Sequence, residues 1–314
     1  MRPVLYVVVP CYNEQEVLPE TSKRLKAKMT ALIESGRVDE RSRVMLVNDG
    51  SKDRTWAMIE ELHESDPLFS GVKLSRNRGH QNALLAGLMT AKEYADVTIS
   101  MDADLQDDID AMDRFLDEFE RGSDVVYGVR SERKTDTAFK RLTAEGFYKL
   151  MKALGVDIVF NHADYRLLSR RALDGLAEYR EVNLFLRGMV PLVGYKSSTV
   201  TYERRERFAG ESKYPLKKML AFAFDGITSL SIKPIRLILG LGVIIFLLSL
   251  IMLVYALISK WTGHADTGWT SILASIWMIG GIQLLCLGVI GEYIGKIYSE
   301  TKQRPRYIIE KILN

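Results

Sequence analysis

Short apolar segments alternate with amphipathic helical patterns over the first 130 residues, and this alternation limits the fold more than any other feature. The apolar, β-branched runs predict strands at residues 4–9, 44–47, 72–74, 97–101 and 125–129. Helical patterns cover residues 13–35, 55–65, 81–91 and 112–121, the first with Asn13 and Glu16 as a capping box. Repeated alternation of this kind is typical of an α/β domain whose mostly parallel sheet carries helices on both faces.

Polar side chains follow three of these predicted strands at the point where each strand ends. Tyr12 and Glu14 follow the first strand, Asp49 the second, and Asp102 and Asp104 the fourth. In an open parallel sheet, ligands bind at the carboxyl ends of the strands. The sequence therefore predicts one binding site at this edge, built from all three strand ends.

The pair Asp102 and Asp104 is the strongest candidate for chemistry within that site. At spacing i and i+2 on extended backbone, both carboxylates lie on one face and repel each other unless a cation intervenes. Hard oxygen ligands of this kind suit Mg²⁺ or Mn²⁺ beside the phosphates of a substrate. The alternative is an acidic loop that caps the next helix, for which Asp107, Asp108 and Asp110 would suffice.

Composition and absent motifs exclude several function classes. The net charge of +3 gives no reason to expect nucleic acid as a partner. Neither a Gly-x-Gly-x-x-Gly turn after the first strand nor a Gly-Lys-Ser phosphate loop occurs, which argues against a dehydrogenase or an NTPase. Cys11 and Cys286 lie far apart, so a disulfide framework is not expected.

After the fifth strand the pattern loosens, and it then changes character. A helix is predicted at residues 137–154, strands at 161–169 and 196–202, and a basic loop at 204–214. These segments complete a first domain over residues 1–214. Residues 215–236 mix lysines with apolar residues, as an amphipathic helix in a membrane interface does.

Two long uncharged runs follow, and they predict a transmembrane hairpin over residues 237–295. Residues 238–259 and 269–291 contain no charged side chain. At about 1.5 Å per residue, each run is long enough for a hydrocarbon core of about 30 Å. A buried helix of a soluble protein is the alternative.

The distribution of basic residues predicts the orientation of this hairpin. The loop at residues 260–268 contains one lysine, whereas both outer flanks, including a basic tail at residues 296–314, contain several lysines and arginines. Positive residues stay on the cytoplasmic side, so both termini and the first domain are expected in the cytoplasm.

Three motifs in this order resemble family 2 inverting glycosyltransferases, and in particular the branch that acts on polyprenyl phosphates. They are VVPCYNE at residues 8–14, VNDGSKDRT at 47–55 and DADLQ at 102–106. The resemblance extends to DYRLL at 164–168, RFAGESK at 207–213 and the C-terminal hairpin. Two departures occur: Asn161 and Ala163 stand where many relatives have Asp and Gly, and residues 107–109 replace a frequent proline pair.

The resemblance implies a nucleotide-sugar fold of the GT-A type and a role for each matching residue. By this analogy Asp49 reads the base or ribose. Because a phosphate acceptor with a second pKa of about 6 needs no strong general base, Asp164 is expected to orient reacting groups instead of removing a proton. The implied nucleotide-binding residues are Pro10, Tyr12, Glu14, Asp49, Asp102 and Ala103. The implied ligands for Mg²⁺ or Mn²⁺ are Asp104 and Gln106. The implied phosphate-facing cations are Arg130, Arg141 and Lys213, and together with Asp102 and Asp164 they form the expected catalytic set.

The implied reaction moves one sugar from a nucleotide diphosphate sugar to a polyprenyl phosphate, with inversion, at the cytoplasmic face of a bacterial cell membrane. UDP-glucose is the expected donor and undecaprenyl phosphate the expected acceptor, with GDP-mannose or UDP-N-acetylglucosamine as alternative donors. A processive polysaccharide synthase is disfavoured because no Gln-x-x-Arg-Trp motif occurs. An inactive nucleotide-sugar-binding membrane scaffold is the alternative outside the enzymes, and homo-oligomerisation is left open.

Overall fold

A computed structural model describes residues 2–131, 162–203, 231, 233–261 and 268–314. The chain divides into two compact units. The first contains the described residues up to 203 together with Arg304–Asn314, and the second contains those between 231 and 303.

The first unit is an α/β domain in which strands and helices alternate along most of the described chain. Its strands are β1 Leu5–Cys11, β2 Arg43–Asn48, β3 Phe69–Leu74, β4 Val97–Ser100, β5 Val125–Arg130, β6 His162–Ser169, β7 Ser197–Tyr202 and β8 Ile309–Leu313. Its helices are α1 Leu18–Glu34, α2 Thr55–Ser65, α3 His80–Ala91, α4 Ala111–Glu120, α5 Arg170–Ala177 and α6 Leu186–Leu192.

These strands form one sheet in the order β7-β5-β6-β4-β1-β2-β3-β8. The pairs β1/β2, β1/β4, β2/β3 and β5/β7 are parallel. Strand β6 lies antiparallel between β4 and β5, and β8 lies antiparallel to β3 at the edge. The predicted α/β class with a mostly parallel sheet is confirmed.

Side-chain alternation along β1 shows why helices cover both faces. Leu5, Val7 and Val9 pack into one hydrophobic cluster, and Tyr6 and Val8 into the other. Successive residues of a strand point to opposite faces, so a fully apolar strand needs a cover on each side. Helices α1, α2 and α4 contribute to the first cluster, and α3, α5 and α6 to the second.

The first helix begins later than the capping pattern predicts. Asn13 adopts a positive φ of 54°, and α1 begins at Leu18 with Val17 as a cap that makes no side-chain bond. The Asn13 side chain instead accepts a hydrogen bond from the backbone N–H of Lys52 at 2.9 Å. The predicted capping box was wrong because this side chain serves a neighbouring loop, which sequence periodicity does not reveal.

Strand β8 was not indicated by the sequence, because its few apolar residues lie within a charged C-terminal segment. It continues the β3 edge, where the Ser75 N–H bonds the Ile308 carbonyl at 3.0 Å. Its Lys311 also pairs with Glu60 of α2 at 2.8 Å. The chain therefore returns to the first unit after the second, and part of the predicted basic tail is a strand.

The second unit contains two long helices, α7 Lys233–Trp261 and α8 Trp269–Thr301, which include both uncharged runs. Within the described part of the chain, one helical segment, Met278–Thr301, is long and apolar enough to cross a membrane, with a mean hydropathy of 1.5. The two-span topology stays a prediction. The predicted helix at 137–154, the predicted basic loop at 204–214 and most of the predicted interfacial helix lie outside the described residues.

Candidate active site

The loops after β1 and β2 are joined by hydrogen bonds at the carboxyl edge of the sheet. Asn13 N–H donates to Ser51 Oγ at 3.0 Å, and Glu14 N–H donates to Thr55 Oγ1 at 2.9 Å. These hydrogen bonds fix the two loops relative to each other, and both loops bear residues of the predicted nucleotide site. An open cleft of about 410 Å³ lies beside these loops, lined by Asn13, Gln15, Glu16, Lys52 and Asp53.

The structure gives the predicted nucleoside residues in this region different environments. Pro10 is buried within β1, whereas Tyr12 is 41% exposed at the mouth of the loop. Asp49 is buried, and its two carboxylate oxygens accept the backbone N–H groups of Arg78 at 2.7 Å and Gly79 at 2.9 Å. Asp49 therefore holds the turn before α3, and its contact with a base or ribose stays a prediction.

Asp102 follows β4 and pairs with a histidine at the start of α3. The distance from His80 Nε2 to Asp102 Oδ1 is 2.9 Å, and both side chains are partly exposed. Desolvation is the largest influence and opposes the charged form of each group, but the hydrogen bond and the charge of the partner together outweigh it, lowering the pKa of Asp102 and raising the pKa of His80. The pair thus presents a fixed carboxylate at the predicted site.

Asp164 at the start of β6 is held between two arginines. Its carboxylate lies 2.5 Å from Arg166 Nη2 and 3.0 Å from Arg187 Nη2. Burial would raise the pKa of Asp164, but the charges of Arg187 and Arg166 lower it well below its usual range. Arg166 is 1% exposed, so its charge needs this partner. Asp164 is a carboxylate at neutral pH and a weak base.

A third carboxylate group joins the loop after β4 to β5 and β7. Tyr202 donates a hydrogen bond to Asp107 Oδ1 at 2.5 Å, and Arg130 Nη2 lies 3.8 Å from the same oxygen. Burial, and then the negative charge of Asp102, raise the pKa of Asp107 to about 6. Arg130, at the end of β5, is thereby placed beside the loop predicted to bind the metal.

The predicted metal ligands lie on that loop. Asp104 Oδ1 accepts the backbone N–H of Gln106 at 3.1 Å, and both residues are partly exposed. In the described ranges, no three His, Cys, Asp or Glu side chains group closely enough to hold a metal ion. Two partly exposed hard oxygen donors fit Mg²⁺ or Mn²⁺ only if substrate phosphates complete the coordination, as is usual for Mg²⁺.

Not every predicted site residue reaches this edge in a way that indicates ligand binding. Ala103 is 4% exposed, and its carbonyl accepts the Thr21 hydroxyl at 2.7 Å, so its share in nucleotide binding stays a prediction. Arg141 and Lys213 lie outside the described residues.

Sequence reasoning missed five residues at this edge. His80 follows the third strand, and that position at a strand end is a signal that could have identified it. No pattern of their own marks the other four. Some lie far in sequence from the residue they contact, and some lie next to a predicted site residue: Asp107, Arg166, Arg187 and Tyr202.

Comparison with known proteins agrees with this architecture. The model described as "Glycosyl transferase family 2" matches residues 6–176, and the one described as "GtrB C-terminal hairpin" matches residues 233–297. An uncharacterized glycosyltransferase of Bacillus subtilis (strain 168), YkoT, is 53% identical over 98% of this chain and 92% of its own length. A prophage bactoprenol glucosyl transferase homolog of Escherichia coli (strain K12) is 39% identical over 98% of both chains.

A solved structure is also similar. Glucosyl-3-phosphoglycerate synthase from Mycobacterium tuberculosis has a TM-score of 0.47 and 16% identity, over 73% of this chain and 77% of that one. The assignment depends on the sequence matches, which include a family model over more than half of the chain and relatives of nearly equal length. The chain belongs to glycosyl transferase family 2 and has the GT-A type of α/β fold.

Proposed function

We propose that this enzyme transfers one sugar, with inversion, from a nucleotide diphosphate sugar to a polyprenyl phosphate at the cytoplasmic face of a bacterial membrane. The observation that carries the proposal is the near-full-length similarity to proteins named bactoprenol glucosyl transferase, at 38–39% identity over 97–98% of this chain. The lipid acceptor accounts for the apolar C-terminal unit, since the chemistry must occur where a lipid phosphate leaves the membrane.

The state of Asp164 agrees with this acceptor. A phosphate monoester has a second pKa of about 6, so it is largely deprotonated near pH 7 and needs no strong general base. Asp164, ionised between Arg166 and Arg187, is a poor base. It instead orients Arg187, whose partly exposed side chain would contact phosphate oxygens.

The charges at the site require additional cations once a donor is bound. By the resemblance, Asp102 would lie against the ribose and diphosphate and Asp104 would bind the metal, and a diphosphate adds further negative charge to these carboxylates. Arg130 and Arg187 supply part of the compensation, and the undescribed Arg141 and Lys213 are proposed to supply more. Asp104 and Gln106 would hold a divalent cation, which when bound stabilises the charge of the leaving diphosphate.

UDP-glucose is the proposed donor, and the name glucosyl transferase among the relatives supports it. Purified protein in detergent should be incubated with undecaprenyl phosphate and radiolabelled UDP-glucose, UDP-N-acetylglucosamine or GDP-mannose in turn. Label should enter the lipid fraction at least tenfold faster from UDP-glucose than from the other two. Preferential transfer from another donor would show that the transferred sugar is not glucose. No transfer from any donor would favour the inactive scaffold.

The membrane topology is proposed from the distribution of lysine and arginine. In a Cys286→Ser background, a cysteine at Thr267 should react with an impermeant thiol reagent in intact cells, and a cysteine at Asn314 should not. The remaining Cys11 is buried and should stay silent. The reverse labelling pattern would place the donor site on the outer face and refute the proposed orientation.

A further inference from the structure

Arg130 is held in place by a short chain of hydrogen-bonding groups. It is the last residue of β5 and lies in register with Tyr202, the last residue of the parallel strand β7. Arg130 Nε donates to the Tyr202 hydroxyl at 3.4 Å, and that hydroxyl donates to Asp107 Oδ1 at 2.5 Å. The Tyr202 hydroxyl, itself held by Asp107, therefore restricts the orientation of the Arg130 guanidinium.

The tyrosine in the middle of this chain is rigidly packed. Tyr202 is 2% exposed, and its ring meets that of Tyr165 edge-on at 5.2 Å between centroids. A Cβ on Gly128 would come within 3.1 Å of Tyr202 Cε1 and 2.7 Å of the Tyr165 carbonyl oxygen, so only glycine leaves room there. The hydroxyl is therefore fixed by packing before any ligand arrives.

Asp107, at the other end, is an unusual group to bury. Its side chain is 1% exposed, and Oδ2 has no hydrogen-bond partner among the described atoms. Burial of a carboxylate is costly unless nearby charge compensates it. Arg130 lies 3.8 Å from Oδ1, and Asp107 directly follows the predicted metal ligand Gln106. One carboxylate thus ties an arginine to the loop that is proposed to bind the metal.

We infer that Tyr202 and Asp107 are positioning residues that aim Arg130 at the diphosphate of the nucleotide donor. The diphosphate is the anion within reach because Arg130 is tied to the loop that is proposed to bind the cation on that diphosphate. This inference rests on the proposed function, since it assigns Arg130 a diphosphate to meet. A pre-oriented guanidinium loses little freedom on binding and meets phosphate oxygens in a fixed geometry.

The test compares two tyrosine variants of the full-length protein. Tyr202→Phe removes the hydroxyl next to Arg130 and keeps the ring. Tyr165→Phe is the matched control, because that buried hydroxyl donates to the backbone carbonyl of Asp108 at 2.9 Å instead. We expect Tyr202→Phe to weaken UDP binding in Mg²⁺, measured by calorimetry, and to lower kcat for transfer, each by about tenfold, with Tyr165→Phe within about threefold of wild type.

An Arg130→Lys background shows whether Tyr202 acts through Arg130. Lysine keeps a positive charge but lacks Nε, so Tyr202→Phe should cause no further loss of UDP affinity in that background. An equal loss in both backgrounds, or equal effects of the two tyrosine variants, would overturn the inference. UDP binding without any sugar transfer by the wild type would refute the proposed function alone, because the binding comparison would still test the positioning.

Discussion

The two halves of the candidate site are held together by different forces. In the half formed by the loops after β1 and β2, backbone N–H groups donate to side-chain oxygens, as in the bond from Glu14 to Thr55. In the half formed by β4, β5 and β6, buried charges balance one another, as between Asp164 and Arg166. A lost bond in the first half relaxes a loop, whereas a lost charge in the second leaves its partner uncompensated in the interior.

The largest effect is expected at the loop after β4, which is proposed to bind the metal. Asp104→Asn should reduce transfer by about a hundredfold or more, because the leaving diphosphate loses the cation that compensates its charge. Initial rates at saturating Mg²⁺, with circular dichroism to verify folding, measure this effect. Asp110→Asn is the control, since that carboxylate is 74% exposed, and it should keep near-normal activity. Full activity of Asp104→Asn, or of wild type in excess chelator, would refute the metal role.

The second-largest effect is on stability, and it compares a buried ion pair with an exposed one. Asp164→Asn should lower the free energy of unfolding by about 3 kcal/mol at pH 7, because Arg166 and Arg187 lose their common partner. Urea unfolding in detergent measures it. Asp174→Asn breaks an exposed pair with Lys92 at 3.0 Å and should cost less than about 1 kcal/mol. Equal losses of unfolding free energy in the two variants would mean that the buried pairs stabilise the fold no more than an exposed pair does.

The same variant gives a pH dependence whose sign is fixed. The pKa of Asp164 is lowered on folding, so its stabilisation is fully present above the unfolded value of about 3.9 and is lost as pH falls through the folded pKa. The stability difference between wild type and Asp164→Asn should therefore be constant from pH 7 to pH 5 and shrink below about pH 4. A difference that grows on acidification would contradict the charge-pair explanation.

The smallest effect is expected in the half formed by the loops after β1 and β2. Thr55 is fully buried, and its hydroxyl accepts the Glu14 N–H and donates to Asp53 Oδ1 at 2.6 Å. Thr55→Val should raise the donor KM by about fivefold and leave kcat within about twofold, because only loop geometry is disturbed. Thr55→Ser restores the hydroxyl and should restore KM. A larger loss of kcat than of donor affinity would show that this loop takes part in the transfer step.

The sequence by itself determined the central sheet and the sheet edge at which the candidate site lies. Runs such as residues 4–9 are short, apolar and rich in valine, which favours a strand covered on both faces, and the alternation with helices predicts parallel connections. Parallel strands bring their carboxyl ends to one edge, so Asp102 and Asp104 were placed there without coordinates. Local pattern carries this information because strand burial and strand direction depend on neighbouring residues.

The tertiary structure alone decided which polar and charged side chains pair with one another. Tyr202 and Asp107 are separated by 95 positions, and His80 and Asp102 by 22. Two local features likewise depend on distant segments. Strand β8 forms by pairing with β3, and the positive φ of Asn13 accompanies a hydrogen bond from the Lys52 N–H. No periodicity encodes such partners, because a pairwise contact across the sheet depends on strand order and register, and these are set by the packing of the whole domain.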